Sequence, residues 1–306
     1  MIAATILVPT HNHGEALRYS IGSALRQTLT DFELFIVGDG CDDATRLVAR
    51  ELAQSDRRVR FLDLPKGPRK GEVHRHSALG DAQGRIVAYL GDDDLWLPNH
   101  LEWLDRLLRD ADFGHTLHAG LDASGVPFFL ACDLANANVR RSMLNQGINR
   151  FDLTFGAHTL AAYRRLPGGW HTVPGHTLAA DLHMWQQFLA EPWCRAGSIM
   201  VPTGLCSHTH LRPHLSAAER AAELSVWTGR MAEPGFSTEF YRLAVESLNR
   251  AAVAAQMAQA AAATTAQYRA LETRLVEEKA RRRAMKRSWS WRITKPFRKV
   301  GRLAGL

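Results

Sequence analysis

Strands and helical stretches alternate through the first 93 residues, and three of the four strands run into polar residues at their ends. That pattern leaves few architectures open. The β-rich runs are "ATILVPT" (4–10), "FELFIVGDG" (32–40), "VRFLDL" (59–64) and "RIVAYLGDD" (85–93). The first, second and fourth are almost continuously apolar, as strands covered on both faces are. Leu17, Ile21 and Leu25 recur at helical spacing in the first interval, and Leu47, Val48 and Leu52 in the second. Alternation of this kind predicts an α/β fold with a mostly parallel sheet and helices on both faces. Ligands in such sheets bind at the carboxyl ends of the strands.

The strand ends read "PTHN", "GDGCDD" and "GDDD", the last within "YLGDDDLWLP" (89–98). Carboxylates about 5 Å apart repel by roughly 3 kcal/mol per pair at an effective dielectric near 20. Crowding them at one sheet edge calls for a positive partner, unless they are solvated turn formers. After Pro98, which suits the first turn of a helix, Leu101, Leu104, Leu107 and Leu108 give a helical stripe. Residues 113–215 mix short apolar runs with Gly, Pro, aromatics and histidines, and a helix is expected to begin near Asp181. From about 216 the chain reads as helical and Ala-rich, then basic.

Charge is unevenly placed. Residues 269–302 hold 13 Lys or Arg and 3 Asp or Glu, so a mildly acidic body carries a strongly basic tail although the whole chain is +7. The start, "MIAATILVPT", has no basic n-region and reads as a first strand, not a secretion signal. No stretch approaches the 18 or so apolar residues of a membrane span. Cys41, Cys132, Cys194 and Cys206 form no CxxC pair, which suits a reducing compartment and argues against a structural zinc site.

The ordered motifs resemble the family-2 glycosyltransferases, inverting enzymes with the GT-A fold. The resemblance rests on "PTHN" (9–12), on "QTLTDFELFIVGDGCDD" from Gln27 to Asp43, on Gly71 and Arg75 of "GEVHRHSAL", and on "YLGDDDLWLP" against the family's "FLDSDD…P". It is close over about the first 100 residues and looser as far as Asp181. Gly38 and Gly91 stand where family members often carry aspartates, and His74 and His76 flank Arg75 in place of the usual Ala and Asn. The segment "SWSWRITKPFR" (288–298) is similar to a short tail on bacterial glycan-assembly glycosyltransferases.

The resemblance implies a GT-A domain over 1–215, with a nucleotide-sugar half to about residue 100 and an acceptor half after it, followed by a helical, then basic extension over 216–306. It implies a nucleotide-sugar donor, a UDP-sugar first, held by Pro9, Thr10, Asn12, Asp39, Arg75 and Asp92. Mn²⁺ or Mg²⁺ would be held by Asp93, Asp94 and a late histidine, His210 ahead of His208. Such ions prefer oxygen ligands and offset the charge of a departing diphosphate. Asp181 would be the base that deprotonates the acceptor hydroxyl, and Trp170 and His171 would line the acceptor pocket. Each has a plainer alternative: a strand-end turn for Asp39, a surface ion pair for Arg75, a helix cap for Asp181, core packing for Trp170.

The acceptor would be a glycan or a lipid-linked saccharide in bacterial polysaccharide assembly, in the cytoplasm. The basic, Trp-containing tail suits peripheral contact with the inner face of an anionic membrane, or packing on protein in an oligomer. Nucleic acid fits less well, because the tail carries no recognised reading module. A dehydrogenase is disfavoured by the missing GxGxxG after the first strand. A non-catalytic GT-A-like protein that uses its tail for binding is the second reading, disfavoured by the joint presence of Asp39, Asp92, Asp93 and Asp181. A nucleotidyltransferase would share the carboxylate–metal logic but would release pyrophosphate.

Overall fold

A computed structural model of the protein describes residues 2–173 and 179–293. The expected strands form, in order, with helices between them: β1 (Ala4–Thr10), α1 (Gly14–Leu25), β2 (Phe32–Asp39), α2 (Asp43–Ser55), β3 (Val59–Leu64), α3 (Glu72–Gly80) and β4 (Ile86–Tyr89). Next come β5 (Leu95–Trp96), α4 (His100–Leu107), β6 (Phe113–Leu121), β7 (Pro127–Leu130), α5 (Ala137–Gln146), β8 (Gly156–Thr159) and α6 (Leu160–Arg165). The chain continues through α7 (Ala180–Ala190), β9 (Ala196–Pro202), β10 (Gly204–Leu205), α8 (Ala217–Ala232), α9 (Phe236–Arg287) and α10 (Trp289–Ile293).

The main sheet runs β3-β2-β1-β4-β8-β6-β7, with β9 beside β6, and β10 pairs separately with β5. Strands β3, β2, β1 and β4 are mutually parallel, whereas β8 is antiparallel to both β4 and β6. Successive side chains of a strand point to opposite faces, and here both faces are buried. Ile6, Val8, Leu34 and Ile36 meet α1 and α4 through Leu17, Ile21, Leu101 and Leu104. Leu7, Phe35 and Val37 belong to the opposite layer with Ala78, Leu79, Trp185 and Phe188. Two buried faces explain why these strands read as unbroken apolar runs. The chain leaves β1 toward β2 on one side and returns to β4 on the other, which opens a crevice at their carboxyl ends.

Three local expectations change. The fourth strand stops at Tyr89; Leu90 still donates its N–H to Leu7 O at 3.1 Å, but Gly91 then accepts from Asp94 N and the acidic residues form a turn. Pro98 lies outside α4, whose N-cap is Asn99, because the Pro98 carbonyl is bonded to Thr28 N at 2.8 Å. Leu47 is exposed on α2, and Val48 carries the core contact.

The described chain divides into two compact units, Met1–Leu248 and Asn249–Leu306. The first unit therefore continues past residue 215. Helix α8 opens with a capping box of Ser216 and Glu219, and Leu224, Trp227, Phe236 and Phe240 bury against Leu117, Leu121 and Leu205. In the second unit, residues 249–287 are helical and exposed throughout. Among the described residues, no helix is long and apolar enough to cross a membrane. The expected tail contacts of residues 294–302, Phe297 among them, lie outside the described residues.

Candidate functional site

The carboxyl ends of β1, β2 and β4 border a cleft of about 370 Å³, lined by Pro9, Thr10, His13, Asp39, Arg75 and Asp92 among others. A more open hollow of about 750 Å³ lies along α4 beside Trp103 and Arg106, and holds none of the strand-end carboxylates. Size alone does not mark the site; the convergence of charged groups does.

Asp39, the last residue of β2, is buried and uses both carboxylate oxygens. Oδ2 meets Lys66 Nζ at 2.5 Å, and Oδ1 accepts from Gly67 N at 2.6 Å, with His74 Nε2 at 3.5 Å. Burial alone would raise its pKa, but the bonds from Lys66 and Gly67 outweigh that and lower it. Residue 71 is a glycine at φ +65°, where a Cβ would come within 2.6 Å of Asp39 Cγ. Asp39 thus anchors the 65–71 loop, which brings Lys66, Arg69 and Lys70 to the cleft. Thr10 Oγ1 is buried without a hydrogen-bond partner at the same edge. Asn12 is outside the lining set; its Oδ1 accepts from Asp42 N at 2.8 Å and braces the neighbouring loop.

Arg75 is a buried cation, 6% exposed. Its Nη2 donates to Lys70 O at 3.0 Å, its guanidinium lies 4.8 Å from the Trp170 ring centre, and Nε has no partner. Among the described residues no carboxylate pairs with it, so the surface ion-pair alternative does not apply. Burial lowers its pKa. A guanidinium held this way at a cleft wall is suited to an anion.

In the acidic turn, the three aspartates part ways. Asp92 and Asp93 join His13 in a set whose ligand atoms lie within 4.8 Å of one another. His13 Nδ1 is 2.8 Å from Asp92 Oδ1, and the Asp92 charge and hydrogen bond raise its pKa to about 9. Asp94 is buried and fully used: Oδ1 accepts from Ser207 N at 2.8 Å and Oδ2 from the Thr154 hydroxyl. Burial and the Asp93 charge push its carboxyl up to about 7. Asp94 braces the turn, and His13 stands beside Asp92 and Asp93. At Gly91 a Cβ would approach Asp94 Oδ2 to 2.4 Å, so this packing leaves no room for a side chain there. Two carboxylates and one imidazole, once it gives up its proton, are a ligand set that a divalent cation can use.

Asp181 is the second residue of α7, whose N-cap is Ala179. Its carboxylate accepts from Asn149 Nδ2 and Leu182 N, both at 2.9 Å. Burial, with the Asp152 charge, raises it to about 6. Trp170 is a core residue, 2% exposed, that donates from Nε1 to Tyr89 OH at 2.8 Å. It supports Arg75 from below and does not line the cleft. His171 is half-buried and faces His183, Nε2 to Nε2 at 3.0 Å. His210 is exposed, whereas His208 is buried 3.0 Å from both Asp152 and His118.

Trp170 therefore has a distinguishing test. Trp170→Ala is expected to cost about 3–5 kcal/mol of stability, as large aromatic truncations in cores do, read by urea unfolding. An acceptor-contact residue would instead raise the acceptor KM at nearly unchanged stability.

Sheet order, crevice and carboxyl-edge carboxylates define a GT-A fold. The profile of glycosyl transferase family 2 matches residues 5–166, more than half of the chain, and the protein belongs to that family. It is 36% identical over 100 residues to the UDP-Glc:alpha-D-GlcNAc-diphosphoundecaprenol beta-1,3-glucosyltransferase WfgD of Escherichia coli, covering 32% of this chain and 38% of that one. It is 33% identical over 104 residues to the poly(ribitol-phosphate) beta-N-acetylglucosaminyltransferase TarP of Staphylococcus aureus, covering 33% and 32%. The matched region is thus about a third of either relative. Among solved structures, S. aureus TarS 1–349 superposes with a TM-score of 0.54 at 16% identity, over 73% of this chain and 70% of that one. The likeness to TarS is one of fold.

His13, Lys66, His118 and Asp152 were not singled out from the sequence. His13 follows "PTHN" by one position and carried a signal in its place after a strand end. Asp152 and His118 are far apart in sequence and meet only because β6 and β8 are paired.

Proposed function

We propose that the protein is a metal-dependent, inverting glycosyltransferase that moves a sugar from a nucleoside-diphosphate donor to a hydroxyl of a glycan or lipid-linked acceptor in bacterial surface-glycan assembly. The observation that carries this reading is one cleft with a buried guanidinium, paired with no carboxylate among the described residues, on one wall and Asp92 with His13 on the other. Family membership supports it, as do the lipid-linked and polymer acceptors in the names of WfgD and TarP.

In this reading Pro9, Thr10 and Asp39 border the base, with Lys66 partly withdrawn from Asp39 when a donor enters. Arg75 and the 65–71 loop face the diphosphate. Asp93, Asp92 and His13 hold Mn²⁺ or Mg²⁺, which supplies charge compensation for the leaving diphosphate. Asp181 takes the proton of the acceptor hydroxyl as its oxygen bonds to the anomeric carbon. The bond from that carbon to the phosphate oxygen breaks, and its electron pair leaves with the nucleoside diphosphate. Attack opposite the leaving group inverts the anomeric centre. The division at about residue 100 into donor and acceptor halves belongs to the same reading.

UDP-, GDP- and dTDP-sugars with Mn²⁺ provide the test. One donor is expected to raise the melting temperature, since ligand at 100 times its Kd adds about 2.7 kcal/mol. That donor should then be cleaved to nucleoside diphosphate with sugar transfer. If none stabilises the protein, or if pyrophosphate is released, the reading fails.

For the extension, the proposal is peripheral binding to an anionic inner-membrane surface, supported by the 13 basic residues of 269–302. Each Lys or Arg near such a surface contributes roughly 1 kcal/mol. Truncation after Gln267 is expected to keep transfer to soluble acceptors and to weaken binding to anionic liposomes. The full-length chain should also lose that binding as salt rises. Indifference to such liposomes at low salt would leave the tail a protein-packing element.

A further inference from the structure

Behind the acidic turn lies a second cluster that the transfer reading does not use. His118 lies on β6, Asp152 just before the 3₁₀ turn Leu153–Phe155, and His208 just after β10. His208 Nε2 is 3.0 Å from Asp152 Oδ2 and 3.0 Å from His118 Nε2, and the three ligand atoms lie within 4.8 Å of one another. Both histidines are buried and Asp152 is half-buried. The fold makes room for this meeting. Residue 120 is a glycine where a Cβ would come within 2.6 Å of His208 Nε2, and His208 itself sits at φ +48°, a conformation unusual outside glycine.

The arrangement is awkward without a cation. Two imidazole nitrogens facing each other can share one proton at most. If His118 Nε2 holds it, the His208 lone pair is left 3.0 Å from a carboxylate oxygen. If His208 Nε2 holds it, that single proton must serve both the carboxylate and His118. A divalent cation would accept all three lone pairs at once.

We propose that His118, Asp152 and His208 form a second cation site, separate from His13, Asp92 and Asp93, with the donor set of a borderline transition metal such as Zn²⁺. Two imidazoles and one carboxylate suit Zn²⁺ better than they suit Mg²⁺. The site joins β6, the 3₁₀ turn and the segment after β10. That segment includes Ser207, whose N–H holds Asp94. A bound ion would fasten the late segment and, through Ser207, the acidic turn. The inference does not depend on the glycosyl-transfer reading.

Co²⁺, a coloured stand-in for Zn²⁺, tests it on the untagged full-length chain after EDTA treatment. A visible absorption band is expected to saturate at one Co²⁺ per chain and to be displaced by one Zn²⁺. His118→Gln and Asp152→Asn should weaken Co²⁺ binding more than 100-fold, while Asp93→Asn retains the band. Far-UV circular dichroism of the metal-free variants checks that they are folded. If one variant does not fold, the other decides. Absence of a band in the wild type overturns the proposal and leaves a protonated His208 between its two neighbours. A band lost in Asp93→Asn but kept in His118→Gln also overturns it, by placing the ion at the other set.

Discussion

Asp181→Asn is expected to lower transfer turnover by about 10²–10⁴, the usual contribution of a positioned base, with donor affinity nearly unchanged. The expectation follows from where the carboxylate sits. It is in the first turn of α7, clear of the N-cap, and burial with the Asp152 charge raises it to about 6. A base with that pKa is ionised at neutral pH yet basic enough to receive a hydroxyl proton in the transition state. The sign of the pH dependence follows. Asp181 works as the anion, so turnover is present above about pH 6 and is lost as pH falls through that value. In the Asn variant that acid limb disappears. Asn149 donates to Oδ2 and Leu182 N to Oδ1; the amide of the variant can accept only one of these bonds, so its stability is measured beside its turnover. Turnover against pH, with donor binding by calorimetry, separates the two. Near-normal turnover in the variant would place the base elsewhere.

The sequence carried the frame of this site well and its interior poorly, for identifiable reasons. Strands β1 and β2 were legible because a strand buried on both faces must be apolar at nearly every position. Asp39 and the acidic turn were visible because carboxylates following an apolar run are costly without a purpose. Where each side chain turns depends on packing that no local pattern encodes. Asp94 lies in the same triplet as Asp93, yet it is taken up by Ser207 and Thr154, which are 113 and 60 residues away. Trp170 reads as a sugar-stacking aromatic in its Gly-rich setting, and only the tertiary fold shows it roofed by Arg75 and bonded to Tyr89. His208 and His210 differ by two positions, and the left-handed backbone at His208 turns it inward to Asp152.

Asp93→Ala is expected to abolish metal-dependent transfer, with a loss of about 10²–10⁴ corresponding to several kcal/mol of charge stabilisation in the transition state, while the fold remains intact. The two halves of this expectation have one physical source. Asp93 belongs to a set that includes Asp92 and His13, and its charge is among the causes that push the buried Asp94 carboxyl up to about 7. With a cation present, the negative charge of the turn is compensated and Asp93 contributes a ligand. Without one, Asp93 repels Asp94 and attracts the protonated His13, so its removal relieves one neighbour and releases the other. Stability of the metal-free protein should therefore change little in the variant. Mn²⁺ binding, followed by the electron paramagnetic resonance signal of the free ion, should weaken strongly, and the melting-temperature gain from Mn²⁺ with donor should vanish. His13 offers a check within the same turn: Asp93 helps to hold its pKa near 9, so its titration by NMR should move downward in the variant. Full activity of Asp93→Ala, or equal activity of the wild type in EDTA, would remove the metal from the mechanism and leave Arg75 and the 65–71 loop to meet the diphosphate alone.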